Sequence, residues 1–564
     1  MVTWVVLLSI AALGAGYLVY GRFVARQMDL DDTRPTPACK INDGVDYVPA
    51  KASMLLGQHF SAIAAAGPIV GPILAGIWFG WVPALLWIVL GCIFIGSVHD
   101  FISLVASVRH GASSMGEIVR QHMSRTSRVL FLIFMWLALS YVVIAFTDIT
   151  AQTFKAVADD QAFGPGVAVS SFLYLAIGIG MGVALYKAKV RLWVATAVCL
   201  PLVLAAIWLG GRLPQDIAQA MMKIPVKGWE VGLLVYCGIA SLLPMWLLLQ
   251  PRGYLGGWFL YATIAIALLG AIFGRLDVQY PAFHLDAGLA SLANGKLLMP
   301  FLFITVACGA CSGFHGIVSS GTTSKQLRKE NDARPVGYGA MILEGVVAVL
   351  ALATVMVLAP GDAMLKRDPN FVYANGLARY MQMAGFDYTM ALSFALLAFS
   401  TFVYDTLDVA TRLARYILQE LVGWTSSAGA VVATILTLAL PMAFLMLSKE
   451  KGYLVAWPIF GSSNQLLASL TLLAMSVWLR KTGKNPWITV IPMAFMLIAA
   501  VWSLILQVRP LLRWFSGGPA LPPTDLIGGI VGLILLGLTA CLAVDAVLCL
   551  GRGRDQESSI KGKN

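Results

Sequence analysis

Apolar positions in this chain fall into long unbroken runs, with neither the two-residue alternation of a strand nor the single stripe of a surface helix. That pattern predicts helices buried all round, in lipid or among one another. A hydrocarbon core needs about 20 apolar residues per helical span, and about fifteen such runs can be marked. The first is Trp4 to Tyr20, the second Met54 to Phe79 and the seventh Val231 to Leu249. The ninth is Leu297 to Val318, the tenth Tyr338 to Leu358, the eleventh Tyr388 to Ala410 and the last Leu526 to Leu548.

Two runs carry residues that break helices. In AIAAAGPIVGPILAG, Gly67, Pro68, Gly71 and Pro72 fall within six residues of the second run. In SLLPMWLLLQPRGYLGG, Pro244, Pro251 and Gly253 interrupt and follow the seventh. An unpaired backbone group in hydrocarbon costs several kcal/mol, on the order of a lost hydrogen bond or more, so a break survives only against protein or a wet cavity. Counted from the second run, the seventh is the sixth helix, so the breaks open successive groups of five. That is the arrangement of an inverted-repeat transporter, whose paired discontinuous helices offer free backbone groups near the midplane.

Composition sharpens the class. Of 564 residues, 59% are hydrophobic and 12% charged, with mean hydropathy +0.81, which excludes a soluble globular domain. The net charge of +11 does not indicate nucleic acid, because the basic residues sit in short clusters between apolar runs, as in cytoplasmic loops. Those clusters place the N-terminus outside and the C-terminus in the cytoplasm; the SKEK stretch from Ser448 to Lys451 runs against the rule. The segment from Arg22 to Ala50, with Asp29, Asp31, Asp32, Asp43 and Asp46, reads as a cytoplasmic connector. The eight cysteines show no disulfide framework, and the CxxC of Cys308 and Cys311 has no second pair. The N-terminal run lacks a basic leader and reads as an uncleaved first helix.

Polar residues inside apolar runs are expensive and mark pathways. His59 begins the broken second run, and His99 and Asp100 lie in the third. His315 sits in ITVACGACSGFHGIVSSGTT beside Ser312, and Glu344 lies in the tenth run. Thr401, Asp405, Asp408 and Arg412 are spaced by three or four and share one helix face, which also suits a salt-bridged helix end. Asn464 and Gln465 follow Pro458 and Gly461; their amides suit either a substrate carboxylate or contacts between helices. An acid at depth must be paired, protonated or ion-bound, so Asp100 and Glu344 are candidates for proton coupling.

Together these motifs resemble the carbon starvation protein A family of bacterial inner-membrane transporters. The matching pieces are HFSAIAAAGPIVGPILA, VHDF, LPMWLLLQPRGYL, PFLFITVACGACSGFHGIVSSGTT, VGYGAMILE, DTLDVATRLAR and WPIFGSSNQLLA, running from His59 to about Leu470. The resemblance implies uptake of pyruvate or small peptides with protons, and the five-plus-five core of the amino acid, polyamine and organocation superfamily. The chain departs from long members in its short stretch from Ala359 to Asp387 and its shorter C-terminal region, and some members carry Gln where His99 stands.

The expected fold is an all-α polytopic membrane protein. It divides into an N-terminal helix and connector (1–52), a five-plus-five transport core with discontinuous first and sixth helices (53–420), and a C-terminal region of about four helices (421–564). Ala66, Gly67, Pro68, Gly71, Pro72, Pro244, Ser312, His315, Asn464 and Gln465 are expected to hold the substrate. His59, Asp100, Glu344, Asp405 and Asp408, with His315 contributing, are expected to carry the coupling proton or cation. Half-helix N-termini would receive a carboxylate. No cofactor or metal is expected, the partners being a small-molecule substrate, a coupling ion and the bilayer. Competing classes are a cation-coupled amino acid transporter, a channel, a membrane-embedded enzyme and a nutrient sensor. No metal cluster, phosphate loop or nucleophile elbow supports the enzyme.

Overall fold

The computed structural model describes residues 1–43, 47–64, 66–158, 161–244, 246–274, 276–284, 298–449 and 451–561, by backbone alone from 550 onward. Asp46 and residue 450 of the SKEK stretch lie outside the described residues. Helices α1 (Val2–Leu18) and α2 (Tyr20–Gln27) form one apolar span, and α3 (Pro37–Ile41) is a short piece of the connector. Helices α4 (Ala52–Ile63) and α5 (Gly67–Phe79) are two halves of a broken span, bent by 49°. Then α6 (Trp81–Gly91) passes through a π turn at Cys92–Gly96 into α7 (Ser97–Arg109). The short α8 (Met115–His122) leads to the span α9 (Arg125–Thr153).

Helices α10 (Gly164–Tyr186) and α11 (Leu192–Gly210) pack on each other, and α12 (Gln215–Lys223) exposes both its faces. Helices α13 (Val226–Leu242) and α14 (Leu249–Phe273) follow, then the short α15 (Leu298–Thr305) and α16 (Gly313–Gly321). Next come α17 (Gly339–Met356), the buried α18 (Pro369–Met383), α19 (Tyr388–Val422) and α20 (Ser427–Leu447). Last are α21 (Tyr453–Lys481), α22 (Trp487–Phe515) and α23 (Pro523–Lys561).

Local chemistry sets these boundaries. Ser114 and Asp387 cap α8 and α19 by accepting from the N–H groups of Glu117 (3.2 Å) and Met390 (2.9 Å). Gly80 turns the chain from α5 into α6 at φ +89°, and a Cβ there would lie 2.7 Å from Phe283 Cα, so only glycine fits.

Among the described residues eleven helices are long and apolar enough to cross a membrane, twelve if the bent pair counts as one. The fold is all-helical apart from one hairpin of two-residue strands among the described residues. Three expected spans look different from the rest. Helix α13 has 17 residues, α21 has 29 and is nearly all buried but carries a polar middle, and the ninth run is two helices.

The breaks do not sit where the prolines suggested. GPIVGP is helical and opens α5: Pro68 in the first turn gives up an N–H that has no helical partner there, while Pro72 sits inside the helix. The discontinuity lies just before it, between Ile63 and Gly67. Pro244 is likewise no interruption of a span: α13 has ended at Leu242, and Pro251 sits in the first turn of α14. The second interrupted run is the ninth, unwound from Val306 to Ser312 in a stretch without proline.

The two interruptions touch. A Cβ on Gly67 would overlap the Cys308 side chain, and one on Gly71 would overlap the Thr305 carbonyl and lie 3.2 Å from Val306 Cα. Helix α5 also packs along α17, while α9 packs against both α19 and α21. Gly71→Ala is therefore expected to cost about 1–3 kcal/mol by overpacking, read as a lower melting temperature of the detergent-solubilised protein. Gly232→Ala, at a position where a Cβ meets nothing within 4 Å, is the neutral control.

Candidate transport site

The unwound stretch between α15 and α16 is built from small residues, and its backbone is held by neighbouring side chains. Trp457 Nε1 donates to Thr305 O (3.3 Å), Trp87 Nε1 to Val306 O (3.1 Å) and Cys92 Sγ to Gly309 O (3.1 Å). Gln465 Nε2 donates to Phe303 O. Asn464 Oδ1 accepts from the N–H of Phe314 (3.0 Å), capping α16, while its Nδ2 reaches Ser312 Oγ (3.0 Å) and Cys308 Sγ (3.4 Å). Ser312 and Asn464, expected to face substrate, thus bind each other at the start of α16, and Gln465 holds a carbonyl of α15. The N-terminus of α16 is occupied by the protein's own amide.

Two residues into α16, His315 meets two acids. Its Nδ1 lies 2.7 Å from Asp100 Oδ2 on α7, and its Nε2 lies 3.3 Å from Glu344 Oε2 on α17. The other Asp100 oxygen lies 2.7 Å from His99 Nδ1. All four side chains are fully buried. Glycines bring the helices this close: a Cβ on Gly96 would overlap the Ala310 carbonyl, and one on Gly345 would lie 2.7 Å from Cys92 Sγ. The spacing of the sequence placed Asp100, His315 and Glu344 in three separate runs; the fold joins them into one chain.

Beside the first interruption lies a second charged cluster. Arg252 Nε pairs with Asp405 Oδ1 (2.7 Å) and its Nη1 with Asp408 Oδ2 (2.5 Å), all buried between α14 and α19. Tyr236 donates to Asp408 Oδ2 (2.8 Å), and Ser61, in the last turn of α4, donates to Asp405 Oδ2 (3.0 Å). A Cβ on Gly256 would overlap Asp405, which explains how α14 comes so near α19. Arg412, on the same helix face, turns away and donates to the carbonyls of Ala240 (2.8 Å) and Leu243 (2.6 Å) at the end of α13. The salt-bridged helix end considered from the spacing is thus replaced by a bridge to Arg252 from another helix. Only the face shared by Asp405 and Asp408 hinted at it.

A 360 Å³ cavity opens beside this cluster, lined by Lys325, Gln326 and Ser320 near α16 and by Arg412, Tyr416 and Glu420 of α19. A small extension of 40 Å³ reaches up to His59, Ser61, Thr323 and Asp405. His59 Nδ1 lies 2.8 Å from Thr323 Oγ1, and its Nε2 has no hydrogen-bond partner among the described residues. Ala66, Gly67, Pro68, Gly71 and Pro72 are buried in helix contacts, and Pro244 is exposed beyond α13; none of them lines either cavity. Among the described residues no three histidine, cysteine or acidic side chains group as a metal site.

A broken apolar bundle with a sealed acid–histidine chain above a cavity is transporter architecture, and comparison gives it a family. The model of the family described as carbon starvation protein CstA matches residues 1–375 and 361–503. The chain belongs to the CstA family. A peptide transporter CstA of Helicobacter pylori is 32% identical, the match spanning 90% of this chain and 82% of the relative. A peptide transporter CstA of Bacillus subtilis is 30% identical over 96% of each chain. The pyruvate/proton symporter BtsT of Escherichia coli is 30% identical over 89% of this chain and 81% of that one. A solved manganese transporter of Eremococcus coleocola aligns at TM-score 0.47 and 13% identity, covering 91% of this chain and 99% of that one. This CstA family member is thus a multi-pass membrane transporter and not an enzyme.

In the CstA chain the Arg252 bridge predicts a stability pattern. Arg252→Met leaves two buried acids without their cation and is expected to cost about 3–5 kcal/mol. Adding Asp408→Asn should restore part of that, read as thermal melting in detergent.

Proposed function

We propose that this chain imports pyruvate or small peptides across the bacterial inner membrane, driven by protons. The observation that carries the reading is His315 lying between Asp100 and Glu344. With both acids ionised and the imidazole protonated, the buried group carries one net negative charge, and one further proton makes it neutral. A sealed cluster that can alternate between those states is a proton carrier, because charge without a partner is costly where water is excluded. The name of the E. coli relative, a pyruvate/proton symporter, supports the same ion. The Arg252 bridge favours protons over sodium. Both Asp405 oxygens are already occupied, one by the guanidinium and one by Ser61, so a fixed cation stands where a mobile one would bind.

The substrate's place in this reading is the cavity under the interruptions, with Lys325 and Arg412 attracting a carboxylate. Gly67 and Gly71 let α5 lie against Cys308 and Thr305 of the second interruption, and Ala66, Pro68 and Pro72 are buried beside them, away from both cavities. The Lys and Arg bias of the loops puts the cavity on the cytoplasmic side, with the N-terminus outside and the C-terminus inside. A repeat supports the carrier class over a channel. In this reading the interrupted pair α4 and α5 would correspond to α15 and α16, which the element order supports: a short helix, α8 or α18, follows the next span in each half. The hairpin of α10 and α11 is then an insertion in the first half.

Uptake of labelled pyruvate and of a labelled dipeptide into proteoliposomes, under an imposed pH gradient and then an imposed sodium gradient, tests the reading. The wild type is expected to concentrate one of them under the pH gradient alone. Glu344→Gln and His315→Gln should each lower gradient-driven uptake at least tenfold. Uptake that follows sodium, or is unchanged in both variants, would refute proton carriage by this cluster.

A further inference from the structure

The proton that reaches Asp100 needs a way out to the cytoplasm, and α7 carries a stripe of polar residues that begins at His99, beside that carboxylate. His99, Ser103 and Ser107 recur every four residues and so lie one above the other on one helix face. His99, Ser103 and Ser107 are fully buried, and apart from Asp100 the rest of the helix between His99 and Ser107 is apolar. His99 shares Nδ1 with Asp100, while its Nε2 and the hydroxyl of Ser103 find no hydrogen-bond partner among the described residues. Buried polar atoms without partners are rare, and each calls for an explanation.

Both atoms face the same point on α16. A Cβ on Gly316 would lie 3.2 Å from His99 Nε2 and 3.5 Å from Ser103 Oγ, so both polar atoms border the space that glycine leaves open on α16. One turn further, Ser107 Oγ lies 3.0 Å from Ser324 Oγ and 2.9 Å from the Ser113 carbonyl. Ser324 in turn donates to the carbonyl of Ser320 (3.2 Å), a residue of the cavity wall, and Ser113 lies between Ala112 and Ser114, which also line that wall. From Asp100 to Ser107 is about 10 Å along the helix axis, at roughly 1.5 Å per residue.

We infer that His99, Ser103, Ser107 and Ser324 form the proton's exit path from Asp100 to the cytoplasmic cavity. The inference rests on the proton-coupled reading above and adds the route. Imidazole suits the first step: Nδ1 takes the proton from the Asp100 carboxyl while Nε2 gives its own to the Ser103 side, so the ring passes one proton without keeping it. The hydroxyls, each donor and acceptor, relay it by rotating. The route is separate from the cavity extension at His59, the other buried imidazole near the carboxylates.

The full chain in proteoliposomes provides the test, with labelled pyruvate or a labelled dipeptide, whichever the wild type exchanges. Two quantities are measured: exchange of labelled for unlabelled substrate at equal pH, which requires no net proton release, and substrate-driven internal acidification, read with a trapped pH dye. Ser103→Ala is expected to keep exchange within about twofold of wild type and to slow acidification at least tenfold; Ser103→Thr, which keeps the hydroxyl, should regain most of it. Acidification at the wild-type rate in Ser103→Ala overturns the route, as does equal loss of exchange and acidification, the mark of a structural role. Loss of acidification in His59→Gln with Ser103→Ala unaffected also overturns it and moves the exit to His59. Failure of the wild type itself to acidify defeats proton coupling and the route with it, an outcome separate from the rest.

Discussion

Everything around the centre of this protein depends on one constraint: backbone groups freed by an interrupted helix must be satisfied where no water reaches them. The stretch from Val306 to Ser312 meets it with borrowed side chains. Two indoles, a thiol and two amides from α6, α21 and the adjoining π turn take up the carbonyls and cap α16. Because those partners are fixed, His315 emerges in one orientation, between two carboxylates. The glycines of α5 then let the first interruption lie directly on the second.

Charge is arranged around that contact in two unlike ways. On one side Arg252 gives two aspartates a permanent partner, a bridge that ties α14 to α19 and, through Ser61, to the end of α4. On the other side the partner of two acids is an imidazole, whose own charge can change. The first cluster behaves as a fixed joint and the second as a movable charge. Asp405 borders the smaller cavity and α4 packs on α16, so a shift of one of these helices against the other bears on both clusters. Under the proposed function, that linkage would let substrate and ion move as one.

Much of this was legible in the sequence, and the misses have physical causes. Long apolar runs gave most of the spans directly, and the cost of burying an acid singled out Asp100 and Glu344. Proline misled at Pro68 and Pro251, because a first helical turn tolerates it, and at Pro244, which lies between two helices; the second interruption is elsewhere. The true second interruption carries only small residues, VACGACS, whose meaning depends on indoles and amides that arrive from 150 or more residues away. Arg252 likewise finds Asp405 153 residues along the chain, with Asp408 one turn further, a pairing no local spacing reveals. The amides of Asn464 and Gln465 fitted substrate and helix contact equally until their partners were visible.

The central claim is that substrate and proton cross together through the His315 cluster. The most direct measurement is internal pH in wild-type proteoliposomes when pyruvate or a dipeptide is added outside, with no ion gradient imposed and the membrane potential clamped. Acidification that follows substrate entry at a fixed ratio, with sodium absent, is the predicted result; substrate entry that leaves internal pH unchanged would contradict the account.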